Sequence, residues 1–390
     1  MDKTTNYDSI FYDLKYYLSA FKTAAKASNW KSETQKFTMD YLQQLVRLKN
    51  ELINRTYTIS ERREFILNER GKIRLIRSAP FRDRVVRHLI CDYILEPILR
   101  KFLIYDNGSS LKGKGISFTR NRLKTHLRKY FQNNKSNDGW ILLMDYSGYY
   151  DNINHDRLIE SVEKHIPENN PLTRWLLRLI VKSFEQDVSF LSDEDFERMK
   201  TGKYKAIDYY DIPKSCRTGE KILRKSVDIG DQCSQILGIY YPTELDNFIK
   251  IVLSEKYYGR YMDDSYVISN SKNHLKTIYK KIVKKASELG IMINVKKLII
   301  QKISKTFKFL QDKYFMTETG KIVERINPVK LRRMRHRLKE LFVKILDGEV
   351  EFESVSNMLK SWIGSYYNKL SKYQLCGLIK YYNNLFLNFE

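Results

Sequence analysis

Asp263 and Asp264 stand side by side in GRYMDDSYVIS (259–269), between apolar and aromatic flanks that otherwise read as strand. Adjacent carboxylates at a hairpin tip suit a hard divalent cation, and a cation held there can serve phosphoryl transfer. The competing reading is a solvent-facing turn that uses Asp because Asp favours turns. Phosphoryl transfer by two metals about 3.5–4 Å apart needs a carboxylate from a second segment as well. WILLMDYSGYYDNI offers one, since its apolar run through Leu142, Leu143 and Met144 ends at Asp145. Taken alone, Asp145 reads equally well as the cap of the next turn. Taken with the 263–264 pair, both acids end apolar strands separated by a long helical connection. Mg2+ is the ion that prefers such carboxylates together with water and phosphate oxygens.

The elements that must position these residues are legible from periodicity. Residues 1–60 repeat apolar side chains at helical spacing. EFILNERGKIRLIRSAP reads as a hairpin turning at Glu69-Arg70-Gly71, and FRDRVVRHLICDYILEPILRKFL as an amphipathic helix with Pro97 near its end. GSSLKGKGISF is a glycine- and lysine-rich loop leading into the basic helix TRNRLKTHLRKYF. Residues 183–228 read as a polar, irregular insertion. SQILGIYYPTELDNFIKIVLSEKYY is predicted helical and runs into the YMDD hairpin. A further helix over KNHLKTIYKKIVKKASELG stops at Gly290. IMINVKKLIIQ and FKFLQDKYFMTETG are predicted strands, and the chain after Asn327 a basic helix. Strands and helices in irregular order predict an α+β fold with a central antiparallel sheet.

The 390 residues imply two or three packed subdomains. A net charge of +24 points to a polyanionic partner, nucleic acid or an anionic membrane, against the alternative that the charge serves solubility. No apolar run approaches the ~20 residues of a membrane span, and MDKTTNYDSIFYD lacks the form of a signal sequence. Cys91, Cys216, Cys233 and Cys376 are far apart with no CxxC pair, as expected of reduced thiols and not of a zinc site. A cytoplasmic protein without membrane association is the expectation.

Taken in order, these motifs resemble those of reverse transcriptases, in particular the bacterial lineage of group II intron, retron, diversity-generating and defence-associated enzymes. YMDD, MDYSGYYDNINHDRL, KIRLIRSAPFRDRVVRHLI, ELGIMINVKKL and FKFLQDKYF carry the resemblance, which spans about residues 25–365. It implies a right-hand polymerase with fingers, palm and helical thumb. The expected division is a helical N-terminal extension over 1–60, fingers and palm over 61–325 and thumb over 326–390. The family's roles fall on matching positions. Asp145, Asp263 and Asp264 become the metal triad for two Mg2+ ions, with Mn2+ as a substitute and Asp263 the more direct hairpin ligand. Tyr150 matches an aromatic gate that excludes a 2′-hydroxyl, with core packing as its alternative. Lys72 and Arg74, with Arg77 as a further candidate, match the fingers' grip on the triphosphate. Lys297 matches a lysine near the leaving group and is the candidate general acid.

The sequence departs from the family at IGDQCSQ, where QGxxxSP is usual. Gly230 is kept, allowing close backbone approach to a nucleotide. Ile229 replaces the glutamine and Gln235 the proline, a form that resembles diversity-generating and several defence-associated enzymes; lower fidelity or unusual template use is the expectation, packing of Ile229 without effect on fidelity the alternative. FLQ replaces the usual FLG. Two basic surfaces are expected to meet nucleic acid. Lys112, Lys114, Arg120 and Arg122 belong to one, and Arg332, Arg333, Arg335 and Arg337 to the thumb helix, outward of a stripe of Leu331, Met334, Leu338, Leu341 and Ile345. No endonuclease, RNase H or protease segment is recognised after the thumb. The resemblance thus implies an RNA-directed DNA polymerase acting on an RNA template to give a DNA product, in anti-phage defence. A non-coding RNA, a second copy of the chain or an accessory protein stand as further partners. Diversity generation with low fidelity, template-independent or protein-primed synthesis, and a non-catalytic RNA-binding module are the alternatives.

Overall fold

A computed structural model describes residues 5–26, 28–69 and 71–387. In chain order the helices α1 (Leu14–Ala25), α2 (Ser32–Met39) and α3 (Tyr41–Ile53) precede the strands β1 (Arg63–Glu69) and β2 (Lys72–Ser78). Next come α4 (Phe81–Ile90), α5 (Glu96–Leu99), α6 (Ile116–Asn134), β3 (Trp140–Met144), α7 (His155–Glu163) and α8 (Pro171–Lys182). They are followed by β4 (Gln186–Asp187), α9 (Asp193–Thr201), β5 (Ile222–Leu223), α10 (Gln232–Tyr240) and α11 (Thr243–Asn247). The remainder is β6 (Tyr258–Tyr261), β7 (Asp264–Ser269), α12 (Lys272–Glu288), β8 (Ile299–Lys302), β9 (Phe307–Phe309), β10 (Asp312–Met316), β11 (Ile322–Ile326), α13 (Pro328–Leu346), α14 (Phe352–Tyr366) and α15 (Lys372–Phe386). The strand pairings with resolved register are all antiparallel, in keeping with the expected α+β class.

Contacts divide the chain into two compact units. Met1–Thr119, Met144–Ser265 and Thr277–Lys297 form the first; Arg120–Leu143, Tyr266–Lys276 and Leu298–Glu390 form the second. In the first unit α1 packs on α4 over a core that includes Tyr17, Phe81, Val85 and Leu89. The predicted helix over 81–103 is interrupted by a π turn at Cys91–Leu95, immediately before Pro97. Proline lacks an N–H to close the regular helical bond, and the widened turn absorbs the mismatch. β1 and β2 form the predicted hairpin, with Glu69 opposite Lys72.

Residues 183–228 are not irregular. They carry β4, α9 and β5, and Val188, Tyr204, Ala206 and Leu223 form a small core with Leu75 of β2. The segment supplies four of the five buried residues and β2 the fifth, with Phe190, Phe196 and Met199 packed beside them; charged residues interleaved in sequence hid this core. Cys91 and Cys233, 142 positions apart in sequence, meet with sulfurs 3.1 Å apart.

In the second unit β3 lies between β7 and β8, with Leu143 opposite Ile299. The predicted strand over 291–301 is broken: only Ile299–Lys302 is strand, and Val295–Lys297 is a tight helical turn. The strand after Phe307 also breaks, at Leu310 and Gln311, with φ of 43° and 71°. Asn327 caps α13 by accepting from the Val329 N–H, with Pro328 opening the helix. Leu331, Met334 and Leu338 are buried as expected against Val355, Leu378, Tyr382 and Phe386, with Leu341 and Ile345 packed beside them. No helix among the described residues is long and apolar enough to cross a membrane.

Candidate active site

The YMDD turn is built around a buried ion pair. β6 and β7 are joined by Met262 and Asp263, and Met262 has a φ of 52°. This left-handed conformation costs a non-glycine residue roughly 1–2 kcal/mol. Arg260, fully buried, secures it. Its guanidinium binds both carboxylate oxygens of Asp246 at 2.7–3.0 Å and donates to the Ile239 and Met262 carbonyls at 2.8 and 2.9 Å. The Tyr258 hydroxyl donates to Asp246 at 2.5 Å, and the Met262 N–H donates to Ser109 Oγ at 3.1 Å. Both flanks of the turn are thereby held by groups with no access to water.

Asp145 follows β3 directly and is 6% exposed. Its carbonyl accepts from the Asn294 N–H at 2.8 Å, which draws the Val295–Lys297 turn against it. Its carboxylate then accepts from Lys297 Nζ at 2.7 Å and Asn294 Nδ2 at 3.1 Å. Burial, with the Asp145 charge next, raises the Asp263 carboxyl above its usual range. Burial, then Asp263 and Asp145, pushes Asp264 to about 6. Lys297 and Lys72 oppose both shifts. Burial draws the Lys297 ammonium down, yet its hydrogen bond to Asp145 and the charges of all three aspartates leave it raised. The three carboxylates therefore share one electrostatic environment, and Lys297 stays charged within it.

Three oxygen donors without His or Cys match a hard cation such as Mg2+ and not Zn2+. Among the described residues, however, no three acidic, His or Cys side chains are drawn close enough to hold an ion. The Lys297 ammonium supplies the positive partner that Asp145 has here.

Tyr150 lies in a short turn, Tyr150–Asn152, with its hydroxyl 3.9 Å from Met262 Sδ. Gly238 on α10 lies under its ring; a Cβ there would come 3.1 Å from the Tyr150 hydroxyl. Tyr149 donates to the Gly238 carbonyl at 2.5 Å. Gly230, at a φ of 99°, precedes α10, whose N-cap Asp231 accepts from the Cys233 and Ser234 N–H groups. Gln235 is exposed on α10 and Lys72 is exposed on β2. Arg74 reaches across the hairpin to Glu69.

Three cations from the sequence reading have partners within the fold. Arg77, 7% exposed, pairs with Glu64 at 2.7 Å and faces buried Asp228 at 3.6 Å. Lys114 donates to the Tyr105 and Asn107 carbonyls, each at 2.7 Å. Arg120 donates to the Leu310 carbonyl at 2.6 Å and pairs at 3.0 Å with Asp312, a fully buried carboxylate that also takes Lys330 and Lys369. A buried carboxylate demands paired cations, and Asp312 engages Arg120, Lys330 and Lys369 in this way. Arg122 is half-buried, 3.4 Å from His126, whereas Lys112, Arg332, Arg333, Arg335 and Arg337 are exposed. The sequence reading passed over Arg260 and Asp246. An arginine inside the apolar run YYGRYM was the available signal, since an arginine there requires a buried acid.

A family model described as reverse transcriptase (RNA-dependent DNA polymerase) matches residues 66–311. Similar solved structures include two of apo telomerase from Candida tropicalis. One, truncated from the C-terminal domain, is 16% identical with a TM-score of 0.44, covering 68% of this chain and 55% of that one. The other is 14% identical with a TM-score of 0.45, covering 84% and 61% respectively. The chain thus spans little more than half the length of these structures. No curated protein sequence matches it.

Proposed function

The chain belongs to the reverse transcriptase family, and from that membership we propose that it is an RNA-directed DNA polymerase, a nucleotidyltransferase that extends DNA on an RNA template. The observation that carries the proposal is the shared field of Asp145, Asp263 and Asp264 with a charged Lys297 on Asp145. In this reading β1–β2 belongs to the fingers, Asp145 and the YMDD hairpin to the palm, and α13–α15 to the thumb.

Asp145, Asp263 and Asp264 would hold two divalent cations, Mg2+ by donor chemistry and Mn2+ as a substitute. Bound there, such ions lower the pKa of a primer hydroxyl and neutralise charge on the transferred phosphoryl group. The primer 3′-hydroxyl gives its proton to solvent water as its oxygen bonds to the α-phosphorus, the bond to the bridging oxygen breaks, and pyrophosphate leaves. Lys297 holds the proton, at Nζ, that the leaving oxygen takes. Lys72 and Arg74 meet the triphosphate, Gly230 and Gln235 border the nucleotide, and the Tyr150 ring closes the space a 2′-hydroxyl would need. The exposed arginines of α13, with Lys112, follow nucleic-acid phosphates, which makes binding salt-dependent. The spacing of SQILGIYYPTELDNFIK and YGRYMDD, which resembles the defence-associated group, supports a role in anti-phage defence.

Wild-type protein and an Asp263→Ala, Asp264→Ala double variant are compared for incorporation of labelled deoxynucleotides with Mg2+, with and without RNA template. Template-dependent incorporation by wild type alone is the expected result. Equal incorporation by both, or none by either with RNA still bound, overturns the enzyme reading in favour of a binding module. Loss of phage resistance in cells carrying the double variant tests the defence role.

A further inference from the structure

The segment 183–228 delivers one cation to the loop between Asp145 and Tyr150. The Lys203 ammonium donates to Ser147 Oγ at 2.7 Å, two residues from Asp145. Its side chain crosses Gly148, where a Cβ would come 3.1 Å from Lys203 Cε. Gly148 has a φ of 55°, so a side chain there would be strained as well as crowded. Glycine at this position leaves the path over the loop open to the lysine.

The lysine does not reach this loop by chance of a mobile surface. Asn152, 5% exposed, clasps the next residue in both directions. Its Oδ1 accepts from the Tyr204 N–H at 2.8 Å, and its Nδ2 donates to the Tyr204 carbonyl at 3.0 Å and to the Gly148 carbonyl at 2.7 Å. On the other side, buried Lys225 donates to the Met199 and Gly202 carbonyls at 2.9 and 3.0 Å, closing the end of α9. Both flanks of Lys203 are thus fixed by buried groups, while Lys203 itself is exposed.

Among the described residues no carboxylate forms an ion pair with Lys203, whose hydrogen-bond partner is the neutral Ser147 hydroxyl. By contrast Arg77, Arg120 and Lys297 all have acidic partners. A cation without a direct ion pair, with Asp151 as an electrostatic neighbour and its ammonium on the loop that joins Asp145 to Tyr150, has the character of an anion ligand.

We infer that Lys203 binds the phosphate tail of the incoming deoxynucleoside triphosphate, so that segment 183–228 forms part of the nucleotide site. This rests on the polymerase reading. Its hydrogen bond to the loop that joins Asp145 to Tyr150 favours the small nucleotide over a template strand.

The test uses the full chain with Lys203→Ala and Lys203→Arg. On a fixed RNA template and DNA primer, Lys203→Ala raises the KM for deoxynucleotide about tenfold, equivalent to roughly 1.4 kcal/mol. kcat changes little, the Kd for template–primer and the melting temperature do not change, and Lys203→Arg restores most of the affinity. An unchanged KM, or a weakened template–primer Kd in its place, overturns the inference. If wild type incorporates nothing, the polymerase reading fails by itself. Calorimetric binding of dTTP against thymidine then decides Lys203 separately: loss of the triphosphate preference in Lys203→Ala supports the assignment, and its retention overturns it.

Discussion

Replacing Asp246 by Asn strands the Arg260 guanidinium in a site with no exposure to water. The carboxylate receives three guanidinium bonds at 2.7–3.0 Å and one from the Tyr258 hydroxyl. Removing one partner of such a pair costs about 3–5 kcal/mol, a large share of the ~5–15 kcal/mol that keeps a domain folded. Replacing both charges, as Arg260→Met with Asp246→Asn, removes the desolvation penalty and returns most of that stability. Activity behaves differently. Arg260 also donates to the Met262 carbonyl, and Met262 holds its left-handed φ of 52° beside Asp263. Without that bond the turn is free to relax by the ~1–2 kcal/mol of its strain, and Asp263 moves with it. Urea unfolding and templated primer extension on wild type, the single variant and the double variant separate the two effects. The expected pattern is low stability and low activity for Asp246→Asn, then recovered stability with activity still at least tenfold down for the double variant. A double variant that regains both shows that the pair only fills space and refutes the positioning role.

Gly238→Ala forces the Tyr150 hydroxyl from its position 3.1 Å away and slows deoxynucleotide incorporation about tenfold or more, while Tyr150→Ala admits ribonucleotides; unchanged sugar selectivity in both variants excludes Tyr150 as a gate. Gln311→Gly, at a φ of 71°, raises stability by about 1 kcal/mol in urea unfolding, and a loss of stability shows that Gln311 contacts outweigh the strain. His155, 1% exposed, donates from Nε2 to the Ser226 carbonyl, and burial drives its pKa from 6.5 to about 4. Between those values the unfolded chain binds a proton that the folded chain refuses. Its stability contribution is therefore complete above pH 6.5 and is lost by up to ~3 kcal/mol as pH falls through 4. A His155→Gln variant with the same acid limb as wild type removes His155 as its source.

The sequence by itself determined the local elements and the chemical types at the site. The β1–β2 hairpin, β3 ending at Asp145, the YMDD turn and α13 with its buried stripe all follow from periodicity and turn residues, which act over a few positions. Through the resemblance its motifs carry, it also marked Asp145, Asp263, Asp264 and Lys297 as candidates for one site. Only the tertiary structure decided which charges remain available. Arg77, Lys114 and Arg120 look in sequence like Lys72 or Arg332, yet Arg77 answers to Asp228 and Arg120 to Asp312, far along the chain. The break in the strand before β8 has the same origin, because the pull of Asp145 on Asn294 and Lys297 comes from 149 and 152 residues away. Segment 183–228 was harder to read, since its core closes on Leu75 of β2 and the backbone beside its lysine is held by Asn152. Local propensity is written in neighbouring residues. The fate of a charge is set by whether folding buries an opposite charge beside it, and that partner is chosen by packing across the whole chain.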